Sequence, residues 1–288
     1  MIYISNDKLS VKISEGGAEL QSVQSNGIEY LWQADPAFWA KHSPVLFPFI
    51  GELKDGKYIF EDTEYKMPRH GFARDKVFST EQTSDASAIF TLNSDKETVD
   101  IYPFRFIFKI EYRLEGSGLF CTYTVENRDN KTMYFSVGGH PAFKVPIMDT
   151  LEYTDYTLKF DGDDVLEKYV LHNGLTGDDR ETITLNNKEL QLHPSLFYAD
   201  AIVLKHISSR QVALKTDKDS HGLRFAFDGF PFFGIWAAKD APFVCLEPWC
   251  GIADNIHHDY QLIHKEGINE LAAGESWKRT WSLEIFSA

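Results

Sequence analysis

The chain has 288 residues, of which 43% are apolar and 25% charged, a balance that excludes disordered and fibrous classes. Its 29 Lys and Arg stand against 43 Asp and Glu, giving a formal net charge of −14. Phosphate backbones and anionic membrane surfaces therefore repel it, and neither nucleic acid nor a membrane is an expected partner. Three cysteines, Cys121, Cys245 and Cys250, are too few and odd in number for a disulfide framework.

The chain opens Met1-Ile2-Tyr3-Ile4-Ser5-Asn6-Asp7-Lys8, with no basic segment leading into an apolar run. A cytoplasmic setting is expected. Asp35-Pro36-Ala37-Phe38-Trp39-Ala40 places an N-cap residue before a Pro at the first helical position and predicts a short helix. The apolar stretch 44–50 holds two prolines and falls far short of the roughly 20 residues a bilayer span needs. Phe106, Phe108, Ile110 and Tyr112 alternate with more polar residues, as do Leu119, Cys121, Tyr123 and Val125. With Glu115-Gly116-Ser117-Gly118 between them, these runs predict a β-hairpin. The acidic segment from Asp161 to Asp179 reads as a surface loop. His193-Pro194-Ser195-Leu196-Phe197 suggests a single helical turn. Val212 and Leu214, then Trp281, Leu283 and Ile285, alternate again. No segment sustains helical periodicity over three turns, which argues against parallel sheets with crossover helices. No linker and no repeat interrupts the pattern. The expected fold is all-β: one domain, residues 1–288, forming a large sandwich of mainly antiparallel strands.

Four segments set titratable groups among apolar, Gly or Pro neighbours, where they cost free energy unless satisfied or used. In Met67-Pro68-Arg69-His70-Gly71-Phe72-Ala73-Arg74, an imidazole sits at a bend between two guanidinium groups; an exposed basic turn is the plainer alternative. In Val137-Gly138-Gly139-His140-Pro141, two glycines and a proline frame His140, either a positioned imidazole or a satisfied structural one. In Cys245-Leu246-Glu247-Pro248-Trp249, Glu247 ends an apolar run, and burial would raise its carboxyl towards the range of a useful base. Pairing with an Arg at the sheet rim is the alternative. Trp249 offers a face of the kind that stacks on sugar C–H groups. Asp200 is the fourth, at the mouth of an apolar strand, where a strand-capping carboxylate is the plainer alternative to a functional one. Cys245 and Cys250 with the adjacent His257 and His258 do not have zinc-site spacing. No G-x-G-x-x-G, G-x-x-x-x-G-K-[ST] or G-x-S-x-G motif occurs. Neither a metal nor an organic cofactor is expected.

His70, His140 and Glu247, in that order, resemble the aldose 1-epimerase (galactose mutarotase-like) superfamily, most closely its LacX-like branch. Gly17-Ala18, Phe47-Pro48-Phe49-Ile50-Gly51, Arg69-His70-Gly71-Phe72, Gly139-His140-Pro141, Phe230-Pro231-Phe232-Phe233-Gly234, Leu246-Glu247-Pro248 and Gly274-Glu275-Ser276-Trp277 carry the resemblance over nearly the whole chain. It implies the family's β-supersandwich and interconversion of the α and β anomers of a free hexose. Glu247 would take the proton from the anomeric O1 hydroxyl, and His140 would protonate the ring oxygen. His70 would assist at that oxygen, Arg74 and Asp200 would hold hydroxyls, and Trp236 or Trp249 would form a stacking wall. The partner would be a small-molecule sugar, and the chain a monomer or homodimer. One departure stands out: Glu52 occupies a position where the family usually has Arg, and Lys54 or Arg74 would have to supply the missing cation. Three alternatives stay open: a hexose-6-phosphate 1-epimerase with Arg69, Arg74 and Lys54 around the phosphate, a sugar-binding protein without catalysis, and a metal-dependent cupin-like enzyme.

Overall fold

Period-2 patterning folds into two large sheets. The computed structural model describes residues 1–287. One sheet has nine strands, in the order Glu189–Gln191, Tyr156–Phe160, Gln211–Thr216, Gly222–Ala226, Ser276–Phe286, Gly118–Asn127, Phe106–Glu115, Ser87–Asn93 and Ser79–Ser84. The other has eight. Seven run in the order Leu175–Thr184, Val165–His172, Ile202–Leu204, Phe232–Trp236, Phe243–Cys250, Val137–Gly139 and Val45–Leu46; Ala142–Lys144 also pairs with Phe243–Cys250. Pairings in both sheets are antiparallel. A separate four-stranded sheet spans Ile2–Ser5 to Ile28–Glu29. Among the described residues no helix is long and apolar enough to cross a membrane.

The hairpin expected around Gly116 and Ser117 is present, with Phe106 opposite Asn127 and Glu115 opposite Gly118. Its inward positions Phe106, Phe108, Ile110 and Tyr112 are buried, as are Trp281, Leu283 and Ile285 on the neighbouring strand. The two large sheets meet through aromatic rings. Phe47, just past the Val45–Leu46 strand, stacks on Phe108 at 4.3 Å between centroids and 17° between planes. Phe143 meets Phe225 edge-on at 5.8 Å. The buried Trp281 indole donates to the Tyr123 hydroxyl at 2.9 Å, so the polar tip of each ring is satisfied inside the core. The far face of the eight-stranded sheet carries a smaller apolar cluster that includes Leu46, Ile50, Tyr169, Val203, Phe232, Trp249 and Ile252. Every residue of Phe243–Cys250 is consequently buried.

Two local expectations are corrected, and one helix is added. Asp35–Ala40 forms a turn, not a helix. The Asp35 carboxylate accepts the Ala37 N–H at 2.9 Å, and the Trp39 carbonyl accepts the Trp32 indole N–H at 2.9 Å. These bonds close the segment on itself, too short to propagate a helix. The acidic stretch 161–179 is no surface loop. It supplies most of a hairpin, Val165–His172 with Leu175–Thr184, turned at Asn173-Gly174 with φ of 53° and 82°, as a two-residue hairpin turn requires. Its charges face outward at the sheet edge. An unanticipated helix, Lys96–Ile101, is started by reciprocal bonds between Asp95 and Thr98, a capping box. The single turn at Pro194–Phe197 is present.

Phe47→Ala removes a fully buried ring between the sheets. The expected loss is about 3–5 kcal/mol of unfolding free energy, the usual scale for a core Phe truncation. Urea denaturation should show the midpoint falling with an unchanged m-value.

Candidate active site

The acid–base candidates meet because of strand register. Gly138 lies opposite Trp249, and Ala142 opposite Cys245. In that register His140, between the two short strands, falls opposite Glu247. Pro141 has no N–H, so the ladder opens here. The His140 Nε2 and Glu247 Oε2 atoms lie 3.4 Å apart. His140 Nδ1, Glu247 Oε2 and Trp249 Nε1 are buried with no hydrogen-bond partner. Three polar atoms left open at one place make this a candidate ligand site.

Burial governs the charge of this pair. The Glu247 carboxyl is 2% exposed, and desolvation raises it from its ordinary 4.5 to about 8, against the pull of the Arg69 guanidinium. Desolvation lowers His140 from 6.5 to about 3, with Arg69 and Arg74 pushing the same way. Both groups favour their neutral forms, so together they hold one proton near neutral pH, on the carboxyl. Trp39 stacks on the His140 ring at 5.0 Å and 29°, and Trp236 meets it edge-on at 5.5 Å. These indoles exclude water and fix the ring plane.

His70 stands 5.9 Å from His140, ring to ring and edge-on. Its φ is +68°, an uncommon backbone conformation for a residue with a Cβ and one that clusters at functional sites. Gly71 follows at φ +73°, and a Cβ there would stand 2.2 Å from the Phe47 carbonyl oxygen. That carbonyl accepts the N–H groups of Phe72 and Ala73 at 3.0 and 3.1 Å, so the bend lies flat on the 47–51 segment. Burial holds the His70 ring well below its ordinary pKa, with His140, Arg69 and Arg74 adding to the effect.

These groups line one cavity of about 380 Å³, within the roughly 300–1,000 Å³ of small-molecule sites. Its walls include Trp39, Trp236, Trp249 and Ile252, and its polar lining includes Lys41, Arg69, Arg74, Thr176 and Asp200. All seven sequence candidates, His70, Arg74, His140, Asp200, Trp236, Glu247 and Trp249, lie on it. Asp200 accepts the Ala201 N–H at 2.7 Å. Arg74 donates to the Arg69 carbonyl at 2.8 Å. Lys54 is not among the lining residues. Its ammonium donates to the His258 carbonyl at 2.9 Å and covers the Tyr260 ring. The odd residue, Glu52, lies 3.8 Å from the Arg69 guanidinium and so steadies that cation instead of replacing one.

Sequence reasoning missed Trp39 and Lys41. Both lie on a loop whose only signal was a large indole in a polar turn. Among the described residues one group offers metal-type donors: His140, Cys245 and Glu247, with ligand atoms within 4.8 Å of one another. Two of the three are the His140–Glu247 pair itself, and Cys245 is fully buried. His257 is exposed beside Asp178, away from this group.

The sequence profile described as aldose 1-epimerase matches residues 1–284. Plasmid-borne protein LacX of Lactococcus lactis subsp. lactis is 33% identical over 99% of both chains. A crystal structure of a galactose mutarotase related enzyme from Lactobacillus acidophilus superimposes with a TM-score of 0.94 at 34% identity, covering 99% of this chain and 97% of that one. A galactose mutarotase-like protein from Lactobacillus casei gives 0.92 at 30% identity, covering 99% of this chain and 100% of its own. The fold is therefore galactose mutarotase-like, and the chain belongs to the aldose 1-epimerase family, in its LacX-like branch.

Proposed function

We propose that this chain, acting as one domain, is an aldose 1-epimerase that opens and recloses the ring of a hexose without a cofactor. The carrying observation is the buried, unpartnered His140–Glu247 pair, 3.4 Å apart on the wall of a tryptophan-lined cavity. Anomerisation needs a base at the O1 hydroxyl and an acid at the ring oxygen, O5. The base takes the O1 proton, C1=O1 forms, and the C1–O5 bond breaks with its electron pair going to O5. The acid gives O5 a proton. After rotation about C1–C2 the steps reverse and the two groups exchange roles. One proton shared by two groups is what such an exchange requires. Glu247 serves as the base once its proton has passed to His140; substrate hydroxyls replacing lost hydration favour that charged form. Arg74 and Asp200 hold hydroxyls, and Trp236 and Trp249 pack against the sugar's C–H faces. His70 donates to O5.

The test follows the optical rotation of freshly dissolved α-D-glucose and α-D-galactose. The protein should speed the approach to equilibrium. Glu247→Gln and His140→Asn should each lower the rate by about 10²–10⁴-fold, the scale of general acid–base catalysis, with unchanged circular dichroism. A near-wild-type rate in either variant overturns the assignment.

A second reading rests on Lys41, Arg69 and Arg74 sharing one cavity. Three cations against the Asp200 carboxylate, with Glu247 neutral, suit an anionic substituent, such as the phosphate of a hexose 6-phosphate. A kcat/KM for glucose 6-phosphate well above that for glucose, falling in Lys41→Ala, would support it; equal values would refute it.

The pair also predicts a pH effect on stability. Glu247 keeps its proton in the native chain up to about pH 8, while the unfolded chain loses it near 4.5. The stability tied to that proton is complete below 4.5 and is lost as pH rises through 8. His140 acts oppositely, but between about 3 and 6.5. From pH 6.5 to 8 Glu247 is the one of the two that titrates. Wild type should therefore lose up to about 2 kcal/mol relative to Glu247→Gln across that window, at about 1.4 kcal/mol per pH unit. Denaturation midpoints at four pH values would show it; parallel profiles would refute it.

A further inference from the structure

Away from the reacting atoms, an ion pair is completely enclosed. The Lys265 ammonium donates to Asp254 Oδ1 at 2.7 Å, with side-chain exposures of 1% and 0%. Such pairs are poor stabilisers, since apolar groups of similar size often do as well. What sets this one apart is where its bonds lead. Asp254 Oδ2 accepts the Lys54 N–H at 2.9 Å. The Asp254 N–H donates to the Glu52 carbonyl at 2.9 Å, and the Asp254 carbonyl accepts the Thr176 N–H at 2.8 Å. One residue thus ties together the 52–54 loop, the cavity-lining Thr176 and the segment around Lys265.

The clamped loop begins at Gly51. The Gly51 N–H donates to His70 Nδ1 at 3.0 Å, and its carbonyl accepts the His70 N–H at 3.0 Å. Ala253 presses against it from the other side: a Cβ on Gly51 would stand 2.4 Å from the Ala253 Cβ. The Gly51–Glu52 backbone is therefore pinned between His70 and Asp254. A neutral imidazole has one N–H. With Nδ1 accepting from Gly51, that proton sits on Nε2. Arg69 Nε lies 3.2 Å from the same Nε2, and two donors cannot bond to each other. The two contacts therefore demand opposite tautomers. Gly51 prevails because its peptide is held on both sides, while the Arg69 side chain is 49% exposed and keeps its 3.8 Å contact with Glu52 without needing the imidazole.

We propose that Asp254, neutralised by Lys265, is a positioning residue that fixes the Gly51 peptide against His70 and thereby keeps the His70 proton on Nε2, as a donor to the sugar. The proposal rests on the reaction above for its kinetic consequence but not for the tautomer itself.

Two paired variants test it. In Asp254→Ala with Lys265→Met the buried charge is gone and so is the acceptor for Lys54. In Asp254→Asn with Lys265→Met the charge is gone, but an amide oxygen still accepts the Lys54 N–H. Nitrogen-15 NMR of the imidazoles reads the tautomer directly. Wild type and the Asn/Met variant should show His70 protonated on Nε2. The Ala/Met variant should show a mixture and lose about tenfold or more in kcat/KM for α-D-glucose, the scale of a slight misplacement of a positioned group. A folded Ala/Met variant with the wild-type tautomer overturns the proposal. A wild-type chain with no effect on anomerisation overturns the reaction, while the NMR contrast still decides the clamp. Should the Ala/Met variant not fold, amide exchange in wild type decides instead. The Gly51 and Lys54 protons should exchange slowly and together, because one opening frees both; Lys54 exchanging far faster than Gly51 overturns the clamp.

Discussion

The antiparallel register between residues 137–144 and Phe243–Cys250 is the constraint on which the site depends. A one-residue slip would turn Glu247 to the other face of the sheet, into the aromatic core. The register is secured from both sides. Phe232–Trp236 pairs along the other edge of the same strand, with Gly234 opposite Glu247, so the central strand has no freedom to slide. The break at Pro141 then costs little, because two short strands flank it and both are anchored. A backbone ladder that omits one bond leaves room for a side chain where a hydrogen bond would otherwise be.

Enclosure does the electrical work. Two ionisable groups that would both be charged near pH 6 in water are held neutral by burial. The charges that remain, on Lys41, Arg69, Arg74 and Asp200, line the cavity around this neutral pair. Permanent charge and shiftable protons thus sit on different residues of one cavity. Trp39 and Trp236 separate the pair from solvent. In so dry a setting the arrival of a few hydroxyl groups changes the relative cost of each protonation state far more than it would in water.

Much of this was legible in the sequence. Strict alternation in 106–125 and 281–285 specified half-buried strands, because a period of two has one structural meaning. Gly-Gly-His-Pro and Leu-Glu-Pro-Trp stood out because they place titratable groups where the backbone is rigid and the neighbours apolar. What was illegible was illegible for physical reasons. The hairpin 165–184 lies at a sheet edge, where outward charges mask the alternation, and its Asn-Gly turn was the signal left unused. Trp39 and Lys41 reach the cavity from an irregular loop, and no periodicity says where a loop side chain points. The Asp254–Lys265 pair joins residues that local patterning leaves unconnected. Glu52 looked like the loss of a cation from the site; only its position beside Arg69 shows it to be that cation's neighbour.

Two of the four outer strands of the large sheets have a consequence for handling the protein. The Ser79–Ser84 edge is almost entirely exposed and reads Ser-Thr-Glu-Gln-Thr-Ser. The Leu175–Thr184 edge displays Asp178, Asp179, Arg180 and Glu181. An unpaired strand is a template on which a second chain can add. Here one template is hydrophilic and the other offers mixed charge that would have to be stripped of water before any ladder formed. Such borders oppose edge-to-edge association and amyloid-like growth at these two strands.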